Sequence, residues 1–400
     1  MNSLQVLLFA IFYLFAIGTS PAPSQSPFGG GTPFYNQRVS QIPIKISGHK
    51  IYVEVRFNNS PRTAWFILDT GAFSSLGEPL RRSLNLSRGR ALKASGSIKY
   101  AYMINEPISL QVGQMGVNEF RIVCMDYDYF YQTDPSMEGF LGSDFLKFFY
   151  IKLDYRNREL TLSRDSLTTP NTKQKYIFSM NKNNAANLPK IQCRVDNSWS
   201  WSGLIDTGAP HAIIFPITAL SQQRSTGQPI IESDGVMLSW PTSSLDKNYL
   251  SRVDQLKMGN LEIKDFPIIF ANTEDIIFGE SFLSQYEIYL NYPNNEIILI
   301  PYAPVLWKNN YFSIGIKLTK STDNQTIIDA IWKGSAADLA GLSPGIEVLQ
   351  LNGKSTSKME STEWVNILNN DRINAIELVV KQGYRQKTHL LKKAPLLPVN

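Results

Sequence analysis

The sequence predicts a mainly β chain, with a body of two duplicated β lobes followed by a small α+β domain. Three observations carry that expectation. A block of residues recurs 137 positions later in the chain. Within each copy, apolar and polar residues alternate as they do in half-buried strands. Past Pro301 the pattern changes to short strands alternating with two short helices.

The elements follow in order. Leu4 to Ile17 is an apolar run broken only by Gln5. It has the length of a signal-peptide core and is short for a membrane span. Small residues at Ala16 and Gly18 place cleavage after Gly18, so residues 1–18 read as a signal peptide. The n-region lacks Lys and Arg, and an uncleaved membrane anchor is the alternative. Residues 19–37 are rich in Pro, Ser and Gly and read as a flexible tether. Residues 38–168 form the first lobe and 169–302 the second. Lys50 to Phe57 alternates as Ile51, Val53, Val55 and Phe57, and Trp65–Leu68 is a short apolar run. Asn157 and Asn294–Asn295 sit between paired apolar runs as hairpin turns. Helical spacing is brief, at Pro79–Leu86 and Phe145–Phe149. Residues 303–310 read as a linker and 311–394 as the last domain.

The duplication is specific. Asp69-Thr70-Gly71-Ala72 recurs as Asp206-Thr207-Gly208-Ala209, and Gly142-Ser143-Asp144-Phe145-Leu146 as Gly279-Glu280-Ser281-Phe282-Leu283. Between these anchors the register slips: Val112-Gly113 matches Met258-Gly259, and Phe120 matches Phe266, at a shift of 146. Loop lengths therefore differ on a preserved frame.

Composition removes several chemistries. The formal charge of +5 is modest, and the densest basic stretch (Arg81, Arg82, Arg88, Arg90, Lys93) reads as a solvated face, so no nucleic-acid partner is expected. Cys124 and Cys193 form no CxxC pair, and whether they pair with each other is open. His49, His211 and His389 are scattered, with no HExxH or GxSxG. Neither a metal nor an organic cofactor is expected.

Each Asp-Thr-Gly follows an apolar run, which buries the turn and its carboxylate. A lone buried carboxylate is costly, but two on duplicated turns can meet and share a proton. Gly71 and Gly208 allow the tight turn and bring amides near the carboxylates. Thr70 and Thr207 can send hydroxyl bonds into the opposite lobe. A pair holding one proton contains both a base and an acid, enough to activate a water and protonate a carbonyl oxygen.

At this point the chain resembles the pepsin and retropepsin superfamily of aspartic proteases. The resemblance rests on Phe66–Ala72 with Phe140-Leu141-Gly142 and on Leu204–Ala209 with Ile277-Phe278-Gly279, and it covers about residues 38–302. It implies a bilobal body with Asp69 and Asp206 as the catalytic pair, and with Thr70, Gly71, Thr207 and Gly208 supporting them. A hydrophobic-hydrophobic-Gly segment would cross beneath each turn. One chain supplies both halves, implying a monomeric protease body. Ala72 and Ala209 stand where pepsins usually carry a hydroxyl, which points to activity at less acidic pH. His211, five residues past Asp206, reads as a loop histidine. A flap hairpin is implied at Ser95-Gly96-Ser97, with Tyr100 or Tyr102 facing substrate. Its counterpart in the second lobe would turn at Ser233-Asp234-Gly235.

The last domain resembles PDZ domains of the bacterial protease-associated type. The series Gly-Ser-Ala-Ala from Gly334, Ala340-Gly341-Leu342, Pro344-Gly345-Ile346 and Leu351-Asn352-Gly353-Lys354 carries the likeness. It implies that Ser313, Ile314, Gly315 and Ile316 hold a peptide's terminal carboxylate, with the peptide added as a strand. The expectation is an exported aspartic endopeptidase, periplasmic or secreted, acting on protein or peptide substrates. A C-terminal peptide ligand is expected at the last domain. A membrane association is expected only if the N-terminal segment is retained. The alternative is a catalytically silent peptide-binding scaffold on the same frame.

Overall fold

The computed structural model describes residues 29–398 apart from 59, 93–98, 128–135, 173, 185, 239–246, 306 and 322. The expected signal segment, its cleavage point and the flap tip at Gly96 lie outside the described residues. The chain is mainly β, as its alternation requires.

The two repeats build sheets with the same succession of strands. In the first, Lys50–Phe57, Thr63–Asp69, Gly139–Gly142, Ser75–Gly77, Val123–Met125 and Ala101–Ile104 lie side by side. In the second, the succession is Lys190–Val195, Trp199–Ile205, Ile276–Phe278, Ile213–Pro216, Leu261–Ala271 and Tyr249–Met258. Each strand that ends at an Asp-Thr-Gly turn is paired in parallel with the hydrophobic-hydrophobic-Gly segment: Gly142 lies opposite Asp69, and Phe278 opposite Ile205. The hairpin glycines Gly113 and Gly259 both take positive φ, at 58° and 50°, and Phe120 and Phe266 are both buried, in agreement with the shifted register.

A six-stranded sheet joins the repeats. The hairpin Tyr150–Asp154/Glu159–Ser163 of the first abuts Tyr286–Asn291/Glu296–Pro301 of the second, with Ile151 opposite Leu290. Val39–Pro43 and Tyr176–Ser179 close its two edges. Buried side chains from both repeats merge into one hydrophobic cluster, with Leu153, Ile288 and Leu290 among its members.

Two features of the body's strands differ from the sequence reading. The tether expected over 19–37 is shorter, because Thr32–Tyr35 is a strand paired with Met115–Phe120. Phe34 lies over Gly116, where a Cβ would meet its ring at 2.5 Å. Tyr35 packs edge-on against Phe149, and both aromatic contacts are hidden inside a Pro- and Gly-rich stretch. Ser233-Asp234-Gly235 is not a hairpin tip. Gly235 takes φ 81°, but Ser233 and Asp234 continue the strand Ile231–Asp234. They pair with Trp332 and Ile331 of the carboxy-terminal domain.

That pairing fuses the last domain to the body. One sheet runs from the second repeat through Ile231–Asp234 into Thr326–Trp332, Glu347–Leu351, Ala375–Gln382 and Arg385–Lys392. Lys333 pairs with Glu232, and Lys317 donates to the Val236 carbonyl at 2.8 Å. The linker is pinned as well: Trp307 stacks on Phe282 with ring centroids 5.3 Å apart, and Arg252 donates to the Asn309 carbonyl. Within the domain, strand Ile316–Lys320, helix Ala336–Leu339 and helix Ser361–Asn369 pack around Trp364, Leu351 and Leu378. Strand Arg385–Lys392 lies beyond the strands that the sequence pattern predicts. It carries mostly polar, exposed residues and forms through backbone pairing with Ala375–Gln382.

Candidate functional site

Asp69 ends the strand Thr63–Asp69, and Asp206 directly follows Trp199–Ile205. The two turns are cross-braced. Thr70 Oγ1 donates to the Ile205 carbonyl at 2.6 Å and accepts from Thr207 N at 3.0 Å. Thr207 Oγ1 donates to the Leu68 carbonyl at 2.8 Å and accepts from Thr70 N at 3.1 Å. Each threonine therefore serves a donor and an acceptor of the opposite repeat, and all four groups are buried.

The glycines bring the carboxylates together. A Cβ on Gly71 would lie 2.4 Å from the Asp206 carboxyl carbon, and one on Gly208 would lie 2.4 Å from that of Asp69. Each aspartate packs against the other turn's glycine, which no larger residue could replace. Gly71 N donates to Asp69 Oδ1 at 2.9 Å, and Gly208 N to Asp206 Oδ1 at 2.9 Å. Ala209 N adds a second bond to Asp206 Oδ1 at 3.1 Å.

Both carboxyls are buried, at 0 % and 1 % exposure, and their Oδ2 atoms have no hydrogen-bond partner among the described residues. Burial drives the proton affinity of both upward, and the charge of Asp206 raises that of Asp69 further. Asp206 has the better anion site, with two backbone amides against one for Asp69. Those amides favour the charge on Asp206 over Asp69.

A second layer holds the turns. Asp144 Oδ1 accepts from Ser74 N and Ser74 Oγ, both at 2.7 Å. Ser143 Oγ donates to the Thr70 carbonyl at 2.7 Å and meets Tyr292 Oη of the other repeat. Burial pushes the Asp144 carboxyl up to about 6. The Gly-Ser-Asp and Gly-Glu-Ser blocks repeat in the sequence, but their spacing does not signal this bracing. In the second repeat Glu280 reaches out to His49 Nδ1 at 2.7 Å, tying it to the first repeat.

The flap candidates separate. Strands Arg88–Leu92 and Ala101–Ile104 pair as an antiparallel hairpin flanking residues 93–98. Tyr102 is not free to face a substrate. Its hydroxyl donates to Glu78 and accepts from Arg88 Nε at 2.9 Å. Glu78 also holds Arg81 and Arg82, which keeps its carboxyl far below the usual range. Tyr100 stacks on Tyr102 with centroids 6.0 Å apart and is the partly buried member of the pair. Cys124 and Cys193 are buried free thiols in separate repeats. Among the described residues no cluster of His, Cys, Asp and Glu could hold a metal ion.

In the last domain, the loop Ser313–Ile316 lies at the start of the strand Ile316–Lys320. Gly315 takes φ 86°, and a Cβ there would collide with Ser335. Ser313 Oγ accepts the Gly315 amide at 2.9 Å, while the Gly315 and Ile314 carbonyls are taken by Trp332 N and Ala337 N. Among the described residues strand Ile316–Lys320 pairs on one side only, with Thr326–Trp332. A cleft of about 1660 Å³ runs from the PDZ domain to the second repeat, with Ile316, Leu318, Trp364, Val365 and Leu368 in its lining on one side and Pro210, His211 and Met237 on the other.

A search of curated proteins finds no match to this chain. The family model for PDZ domains matches residues 306–381. The carboxy-terminal part of the chain is thus a PDZ domain, a peptide- or partner-binding module built into the sheet of the second repeat.

Proposed function

We propose that the chain is an aspartic endopeptidase whose PDZ domain holds a substrate or partner peptide. The observation that carries this reading is the reciprocal bracing of two buried aspartates by Thr70 and Thr207 across duplicated turns. In this reading the repeats are the two lobes of a pepsin-like body, monomeric because one chain supplies both halves. Asp206, ionised, takes a proton from a water, which attacks the peptide carbonyl. Asp69 donates its proton to the carbonyl oxygen, giving a neutral tetrahedral diol. When the diol collapses, the C–N bond breaks, Asp206 gives its proton to the leaving amine, and a diol hydroxyl returns a proton to Asp69. The hairpin formed by Arg88–Leu92 and Ala101–Ile104 would cover the substrate, with Tyr100 as its aromatic contact. The apolar run Leu4–Ile17 supports export to the periplasm or outside the cell.

One observation favours a second reading, a peptide-binding scaffold with a silent dyad: both aspartates are closed to solvent. Casein digestion separates the two. Cleavage that Asp69→Asn and Asp206→Asn each abolish supports the protease. A folded chain that cuts nothing at any pH supports the scaffold.

A further inference from the structure

The two repeats end their sheets differently. In the first, the succession closes with Val123–Met125, Ala101–Ile104 and Arg88–Leu92, and this last strand has no outer partner among the described residues. In the second it runs Leu261–Ala271, Tyr249–Met258 and Ile231–Asp234. Ile231–Asp234 therefore stands where the first repeat has the opening strand of its flap hairpin. Its outer position is filled by Thr326–Trp332 of the PDZ domain.

The hold continues past the strand, one backbone group after another. Ser233 Oγ donates to the Gly235 carbonyl at 2.6 Å, and Lys317 of the PDZ domain donates to the Val236 carbonyl at 2.8 Å. Leu238 N donates to Asn248 Oδ1 at 2.7 Å. Gly235 lies against the PDZ backbone, where a Cβ would stand 2.4 Å from the Asp329 carbonyl oxygen. Asn248 is fully buried; its Nδ2 donates to the Phe270 carbonyl and its N to Ser233 Oγ. Leu238, delivered by these bonds, is buried in one cluster with Leu204, Ala209 and Ile277. The Ala209 amide is one of the two that hold Asp206. In the first repeat, Ala101 and Met103 of the flap hairpin share a cluster with Ala72 in the same way.

We propose that the PDZ domain is a fixed brace of the second repeat's counterpart of the flap hairpin, and that Asn248 is the positioning residue through which this brace steadies the Asp206 turn. The first repeat's hairpin is then the one that moves over a substrate. The brace itself does not depend on catalysis, but its bearing on turnover rests on the protease reading.

The test is amide hydrogen exchange of the full chain, comparing the fragment 204–210 with its counterpart 67–73 in the first repeat. Asn248→Ala releases Leu238 from the body side. On the PDZ side, Lys317→Met with Asp329→Asn removes the tie to Val236 without stranding the carboxylate of the Lys317–Asp329 pair, and Gly235→Ala drives a methyl into the Asp329 carbonyl. Thermal melts establish which variants are folded. Each folded variant is expected to speed exchange of 204–210 about tenfold and to leave 67–73 within about twofold. Equal acceleration of both fragments, or none in 204–210, overturns the proposal. Acceleration by Asn248→Ala with none from the PDZ-side variants overturns the brace. In casein cleavage the variants should lose about tenfold in kcat with KM little changed, and a rise in KM at constant kcat would overturn the positioning role. A wild type that cuts nothing refutes the protease reading alone, and the exchange result still decides the brace.

Discussion

Replacing Thr70 by Val keeps the side-chain shape and deletes one hydroxyl. Two bonds go with it: the 2.6 Å donation to the Ile205 carbonyl and the 3.0 Å acceptance from Thr207 N. The buried Thr207 amide is left without a partner, at about 1–3 kcal/mol, and the lost carbonyl bond adds about 1 kcal/mol. The expected destabilisation is therefore about 2–4 kcal/mol, read from urea unfolding followed by tryptophan fluorescence. Thr70→Ser keeps both bonds and loses one methyl, for about 1 kcal/mol. Thr207→Val should behave like Thr70→Val, since its hydroxyl makes the mirror-image pair of bonds. The double variant should cost less than the sum by about 1 kcal/mol or more, because parting the turns once already weakens the second pair. A Thr70→Val loss no larger than that of Thr70→Ser would refute the view that these hydroxyls hold the repeats together.

Three further outcomes follow from the same geometry. Gly208→Ala places a methyl 2.4 Å from the Asp69 carboxyl carbon, so it should lower casein cleavage by about a hundredfold or more, measured as kcat/KM on a chain that still melts cooperatively. Asp144 has a raised proton affinity in the fold, so its contribution favours the folded state below its ordinary value of 3.8 and is lost as pH rises to about 6. That amounts to about 3 kcal/mol. Asp144→Asn should flatten the stability profile over this interval, as denaturant midpoints across pH will tell. The half-exposed His49–Glu280 pair raises the histidine above 6.5, so its stabilisation is complete below that pH and disappears above the folded value. His49→Ala should cost under about 1 kcal/mol at pH 5.5 and nothing at pH 9.

Much of this was legible in the sequence because it recurs. Asp-Thr-Gly and the Gly-initiated block repeat with one spacing, and side chains that point into a core must be apolar whatever surrounds them. What escaped depends on backbone bonds and single contacts. The strand partnership of Ser233 and Asp234 with the PDZ domain uses amide and carbonyl groups that every residue has, so a Ser-Asp-Gly turn signal outweighed it. Thr32–Tyr35 is held by backbone pairing and by the rings of Phe34 and Tyr35 inside a Pro- and Gly-rich stretch. Tyr102 is spoken for by Glu78, a carboxylate 24 residues away in sequence that no local pattern links to it.

The central claim is that Asp69 and Asp206 act as one acid–base pair. Its most direct test is casein cleavage from pH 3 to 8 by the wild-type chain, Asp69→Asn and Asp206→Asn. The account predicts cleavage by the wild type and loss of about a thousandfold or more in each variant, since either substitution leaves the pair without its acid or its base. Cleavage that survives either substitution would contradict it.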